Sequence, residues 1–112
     1  MEISFAATHV FSASHVAPCG LGQHGHDFIV EVWVRGALRL DGTVCDPLDL
    51  KTRLAAVAGE FSDRDLGKML VPETPEQLCL YFRERLALWY PNVSRVVIRA
   101  GSFFAEVEFP IR

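Results

Sequence analysis

Between positions 3 and 15 the chain puts Phe5, Ala7, His9, Phe11, Ala13 and His15 on every second residue, with Ser4, Thr8, Ser12 and Ser14 among those between. A period of two is that of a strand with one buried face. A turn-rich stretch, Pro18-Cys19-Gly20-Leu21-Gly22, leads into a second run in which His24, His26, Phe28, Val30, Val32 and Val34 share one parity. Asp27, Glu31, Trp33 and Arg35 hold the other. Asp41-Gly42 signals a turn, and Thr43 to Cys45 read as the end of an extended segment.

The period then changes. Asp46 precedes Pro47, which suits a first helical position, and Asp49 adds negative charge to the first turn. Leu50, Leu54, Val57 and Phe61 follow as one helical stripe. Thr74-Pro75-Glu76-Gln77 is a capping-box pattern opening a second helix, with Leu78, Tyr81, Phe82, Leu86 and Trp89 as its apolar face and Pro91 as its stop. Ser94 to Arg99 and Phe103 to Phe109 alternate around Gly101-Ser102 and predict a closing hairpin. The order is ββααββ, an α+β fold with a four-stranded antiparallel sheet packed on two helices. There is no internal repeat and no linker.

With 112 residues, half of them hydrophobic, residues 1–112 are expected to form a single domain. So small a domain buries only part of its apolar area alone, which favours a homo-oligomer. A net charge of -3, with acids and bases scattered, gives no basic stripe for a phosphate backbone, so nucleic acid is not an expected partner. No apolar run reaches the roughly 18 to 20 residues that span a bilayer, and Met1-Glu2-Ile3-Ser4 lacks the features of a signal peptide. A cytoplasmic protein without a membrane partner is expected. Cys19, Cys45 and Cys79 are an odd count at irregular spacing, which argues against a disulfide framework.

The chemistry is concentrated in residues 15 to 26. Residues i and i+2 of a strand share a side, so His24 and His26 stand together, and His15 can lie opposite them if the two strands form an antiparallel hairpin. Three imidazoles without a fourth protein ligand match a catalytic zinc site, whose open position takes water or substrate. The same residues also fit two polar side chains bordering a loop. His9 shares the parity of His15 but sits about 20 Å further along the strand, so it reads as a lining residue. Cys19, among glycines between the ligands, is a candidate base or nucleophile, since a nearby cation favours thiolate. An ordinary loop cysteine is the alternative. Cys45 and Cys79 read as small core residues.

Phe11-Ser12-Ala13-Ser14-His15, Cys19 with His24-Gly25-His26, Gly42-Thr43-Val44-Cys45-Asp46 with Leu50-Lys51, and Thr74-Pro75-Glu76 closely resemble successive motifs of the 6-pyruvoyltetrahydropterin and 6-carboxytetrahydropterin synthase family. The resemblance implies a T-fold, with trimers closing their sheets into a barrel and two trimers stacking into a hexamer. It implies one zinc ion per subunit on His15, His24 and His26, a pterin-like small molecule as ligand, and Cys19 as the proton-moving thiolate. Thr74 and Glu76 match positions near the substrate, although a helix cap also explains Thr74.

Three positions depart from the family. Ala100 stands where the resemblance implies a glutamate that anchors the pterin ring, and a methyl group accepts no hydrogen bond. Ser62 and Asp63 stand where an Asp-His relay is implied, leaving Asp63 or Asp65 to assist Cys19, with a polar loop between helices as their plainer reading. Glu106 or Glu108 are substitutes for the anchor if either reaches across the last hairpin, and an exposed strand face is their plainer reading. The expected function is zinc-dependent lyase chemistry on dihydroneopterin triphosphate or a relative. The alternative is a family member that binds a pterin-like ligand, or uses another substrate, without the standard reaction. His24-x-His26 with Glu31 and Gly36 also loosely resembles a cupin metal motif, but Glu31 falls on the opposite parity.

Overall fold

Fifteen residues a side, strands β1 (Glu2–Val16) and β2 (Gln23–Ala37) pair antiparallel in one unbroken register, from Glu2 opposite Ala37 to Val16 opposite Gln23. Helices α1 (Pro47–Gly59) and α2 (Pro75–Ala87) follow, separated by a two-residue strand β3 (Arg64–Asp65). β4 (Val93–Ala100) and β5 (Phe103–Glu108) close the chain as a hairpin, and the sheet runs in the order β3-β1-β2-β4-β5. The computed structural model describes residues 1–16, 23–61, 64–65 and 74–109, and for 14–16, 23–26 and 64–65 the description is of the backbone.

Four antiparallel strands against two helices is the architecture that the alternating runs and capped stripes predict. One sheet face is buried: Phe11 and Ala13 of β1, Phe28, Val30, Val32 and Val34 of β2, and Val96, Ile98 and Ala100 of β4 join Leu50, Leu54, Leu78, Phe82 and Leu86 of the helices in one core. Each Val, Leu, Ile or Phe side chain among them contributes about 1.5–3 kcal/mol by leaving water. Among the described residues, the other face carries no helix. Among its residues Val97 is nonetheless buried, flanked on β4 by Arg95 and Arg99, whose long side chains lie over Trp33 and Phe104.

Both helix starts follow from their caps. The Asp46 carboxylate accepts from the backbone N–H groups of Leu48 and Asp49, and Thr74 forms a complete capping box with Gln77. Asp46→Ala should therefore cost about 1 kcal/mol and lower Tm by about 4 °C, while thermal melts of Lys51→Ala, on the exposed side of the same helix, stay close to the parent.

Three details differ from the sequence expectation. The pairing of β3 with β1 is parallel, Arg64 beside Ala13 and Asp65 beside Ser14, and two residues are too few to show a period. Thr43 to Cys45 are not strand, because Asp41 captures the N–H and hydroxyl of Thr43 in a tight turn in which Gly42 takes φ 84°. Trp89 lies past the end of α2 and is 41% exposed, with the Arg53 guanidinium 4.7 Å from its ring centroid. Cys79 fills the stripe instead, fully in the core beside Leu78.

Candidate functional site

The histidines sit where the hairpin runs on beyond the rest of the sheet. β2 is paired on both sides from Val34 to Phe28, where Ala100 is its last partner on β4; residues 23–27 have β1 alone as their described partner. In that extension the backbone of His15 is directly opposite His24, and His26 is opposite Ala13. Directly opposed residues of an antiparallel pair have Cα atoms about 4.5–5.5 Å apart, and His24 and His26 are about 6–7 Å apart along the strand. Three backbone positions so spaced fit one ion held by three imidazoles. On the far side of β1, β3 brings the α1–α2 connection alongside Ser14, the neighbour of His15.

An aromatic floor fixes this end to the core. Phe11 stacks on Phe28 with ring centroids 5.3 Å apart, and lies 5.9 Å from Phe61 and 5.8 Å from Phe82. On the opposite face, the Ser12 hydroxyl donates to the Asp27 carboxylate across the strands at 2.5 Å. Residue-type scanning misses that pair; reading the hairpin register outward from Phe11 and Phe28 finds it, because Ser12 and Asp27 are the next opposed residues.

The other expected site residues are distributed as follows. Cys19 and Asp63 lie outside the described residues, as do the side chains of His15, His24, His26 and Asp65. Thr74 spends its hydroxyl on the N-cap of α2, and Glu76 is exposed in the first turn. Glu106 does not line the position of Ala100. It stands opposite Val97 on the bare face, in an ion pair of 2.5 Å with Arg95, whereas Ala100 faces the core on the other side of the sheet. Strand parity decides this, since the β4–β5 register leaves no extra residue to change faces. Glu108 shares the face of Glu106 and lies 3.8 Å from Arg95.

Elsewhere the polar groups are occupied structurally. Cys79 donates to the carbonyls of Ala105 and Val96, and burial pushes its thiol up to about 11. Burial also raises Cys45, so neither competes as a thiolate. The Tyr90 hydroxyl donates to Asp49, which with Arg53 holds that carboxyl below its usual range. A cleft of about 240 Å³ lined by Trp33, Arg35, Arg95 and Glu108 opens at the other end of the sheet, where Arg35 pairs with Glu2. Among the described residues, no three His, Cys, Asp or Glu side chains come together, and no helix is long and apolar enough to cross a membrane.

Comparison with known proteins agrees with this architecture. The model of the family described as 6-pyruvoyl tetrahydropterin synthase matches residues 1–101. A protein of Archaeoglobus fulgidus provisionally named 6-carboxy-5,6,7,8-tetrahydropterin synthase is 38% identical over 99 residues, 85% of each chain. The dihydroneopterin monophosphate aldolase of Pyrococcus furiosus is 38% identical over 90 residues, 77% of this chain and 78% of that one. Among solved structures, the Caenorhabditis elegans 6-pyruvoyl tetrahydropterin synthase superposes with a TM-score of 0.85 at 20% identity over 98% of this chain and 97% of that chain. The Plasmodium vivax enzyme does so with a TM-score of 0.75 at 17% identity over 99% of each. These two likenesses establish the fold, a T-fold. With a family model covering nearly its whole length and curated relatives above a third identical, the chain belongs to the 6-pyruvoyl tetrahydropterin synthase family.

Proposed function

We propose that this chain, as one domain over residues 1–112, is a zinc-dependent enzyme that cleaves or rearranges the side chain of a dihydroneopterin phosphate. The observation carrying the reading is the backbone register that sets His15 opposite His24, two residues from His26. These three residues would hold the zinc. Bound there, it supplies an open coordination position that polarises a substrate side-chain oxygen and acidifies the adjacent C–H. Cys19 acts as the base that takes the proton, assisted by Asp63; Thr74 and Glu76 border the substrate.

The position of Ala100 bears on which substrate. It is 5% exposed, with Phe28 and Phe103 as its partners on the neighbouring strands, and it offers no acceptor for ring N–H groups. That favours a product other than the standard pyruvoyl compound, and the aldolase name of one relative supports a carbon–carbon cleavage on a monophosphate. The same observation favours a second reading, a pterin binder without turnover. Among the described residues one sheet face carries no helix and β5 has no outer partner, which supports assembly into a hexamer of two trimers that would cover both. Free cysteines support a cytoplasmic setting.

The test is to incubate the zinc-loaded protein separately with dihydroneopterin triphosphate and monophosphate and to follow product mass. Turnover is expected with at least one, falling about 100-fold or more in Cys19→Ala. Turnover unaffected by Cys19→Ala removes the role given to that thiol. Tight binding of both compounds with no product leaves the second reading standing.

A further inference from the structure

We infer that Ser12 and Asp27 are positioning residues that hold the histidine-bearing end of the hairpin in register. For its functional consequence this rests on the metal reading above; for its structural content it does not. The argument starts from what supports that end. β2 loses its β4 partner after Phe28, and among the described side chains the last core residues at this end are Phe28 on β2 and Ala13 on β1. Beyond that row, among the described residues, the two strands are paired by their own ladder and β3 adds pairing to Ala13 and Ser14 of β1.

A ladder of backbone bonds does not choose its own register. Sliding one strand by two residues keeps every side chain on its face and re-forms the same type of bonds, so side chains must make the choice. Phe11 on Phe28 does so on the buried face. On the bare face the neighbouring pair, Val10 with Ile29, is apolar and undirected. Ser12 to Asp27 is directional, at 2.5 Å, and joins the residue just before Ala13 to the residue just after His26. After a slip of two, Ser12 would face Gly25 or Ile29, neither of which has a side-chain acceptor. The hydrogen bond thus exists only in the register that sets His15 opposite His24.

Outer contacts that orient metal-binding residues typically change metal affinity 10–100-fold when removed. Ser12→Ala and Asp27→Ala are therefore expected to weaken Co²⁺ binding about tenfold, while Ser12→Thr and Asp27→Asn, which keep a donor and an acceptor, bind within about threefold of the parent. In the metal-free protein, hydrogen exchange of the amides at 23–26 should quicken in Ser12→Ala and return to the parent rate in Ser12→Thr, with Val30 to Val34 unchanged. A purely stabilising contact would instead lower Tm and leave both readouts level. If the parent takes up no cobalt, the metal reading fails and the exchange measurement alone decides. Exchange at 23–26 equal in Ser12→Ala and the parent, or Asp27→Asn weakening cobalt as much as Asp27→Ala, overturns the inference.

Discussion

Phe28→Ala is expected to remove about 3–5 kcal/mol of stability, the range for deleting a fully packed aromatic ring. A small domain has only about 5–15 kcal/mol in total, so the variant should sit at the edge of unfolding at room temperature. The ring is completely buried, stacked on Phe11, and it occupies the last row at which β2 is paired on both sides. Its neighbour on β4 is Ala100, whose methyl group is too small to refill the space. Phe28→Leu keeps most of the volume and should lose far less, about 1.5 kcal/mol. Urea denaturation of the three proteins at equal slope measures this; a Phe28→Ala midpoint within 0.5 M of the parent would contradict the core described here.

The second large effect falls on His24. Replacing it by alanine removes one of three proposed ligands, and should lower zinc affinity by more than the 10–100-fold typical of outer contacts, and turnover by at least about 100-fold. The circular dichroism spectrum and urea midpoint of the metal-free protein should hardly move, since residues 23–27 lie past the last row that β2 shares with β4. His9→Ala is the matched control. His9 stands opposite Val30, inside the doubly paired part of the sheet, and its loss should leave zinc stoichiometry intact. Equal loss in both variants would mean that the ladder of His15 and His24 is not where the metal binds.

What could be read from the sequence divides along physical lines. The long strands and both helices were legible because each repeats its period several times and each helix opens on a side chain, Asp46 or Thr74, whose oxygen has one place to go. The two-residue β3 was not, because its pairing is selected by where the end of α1 delivers the chain rather than by its own side chains. Trp89 fell on the expected stripe only while α2 was extended to Pro91; the helix stops at Ala87, and the ring turns out to Arg53. At the site, the parity of His15, His24 and His26 was legible and their opposition conditional on an antiparallel hairpin; the register then sets His15 opposite His24. The face of Glu106 required the exact β4–β5 register, in which Gly101 at φ 61° makes a turn of two residues and leaves no slack.

The row of Phe11, Phe28 and Ala100 is a border between two sets of constraints. On one side, volume and burial govern which residues are tolerated. On the other, the hairpin runs past its last row shared with β4, and there the described restraints are the β1–β2 ladder, the short β3 pairing and the Ser12–Asp27 hydrogen bond. On the proposed reading, such a border lets the reacting end of the hairpin change while the scaffold stays fixed. Two relatives at the same 38% identity, one named a synthase and the other an aldolase, are what that arrangement permits.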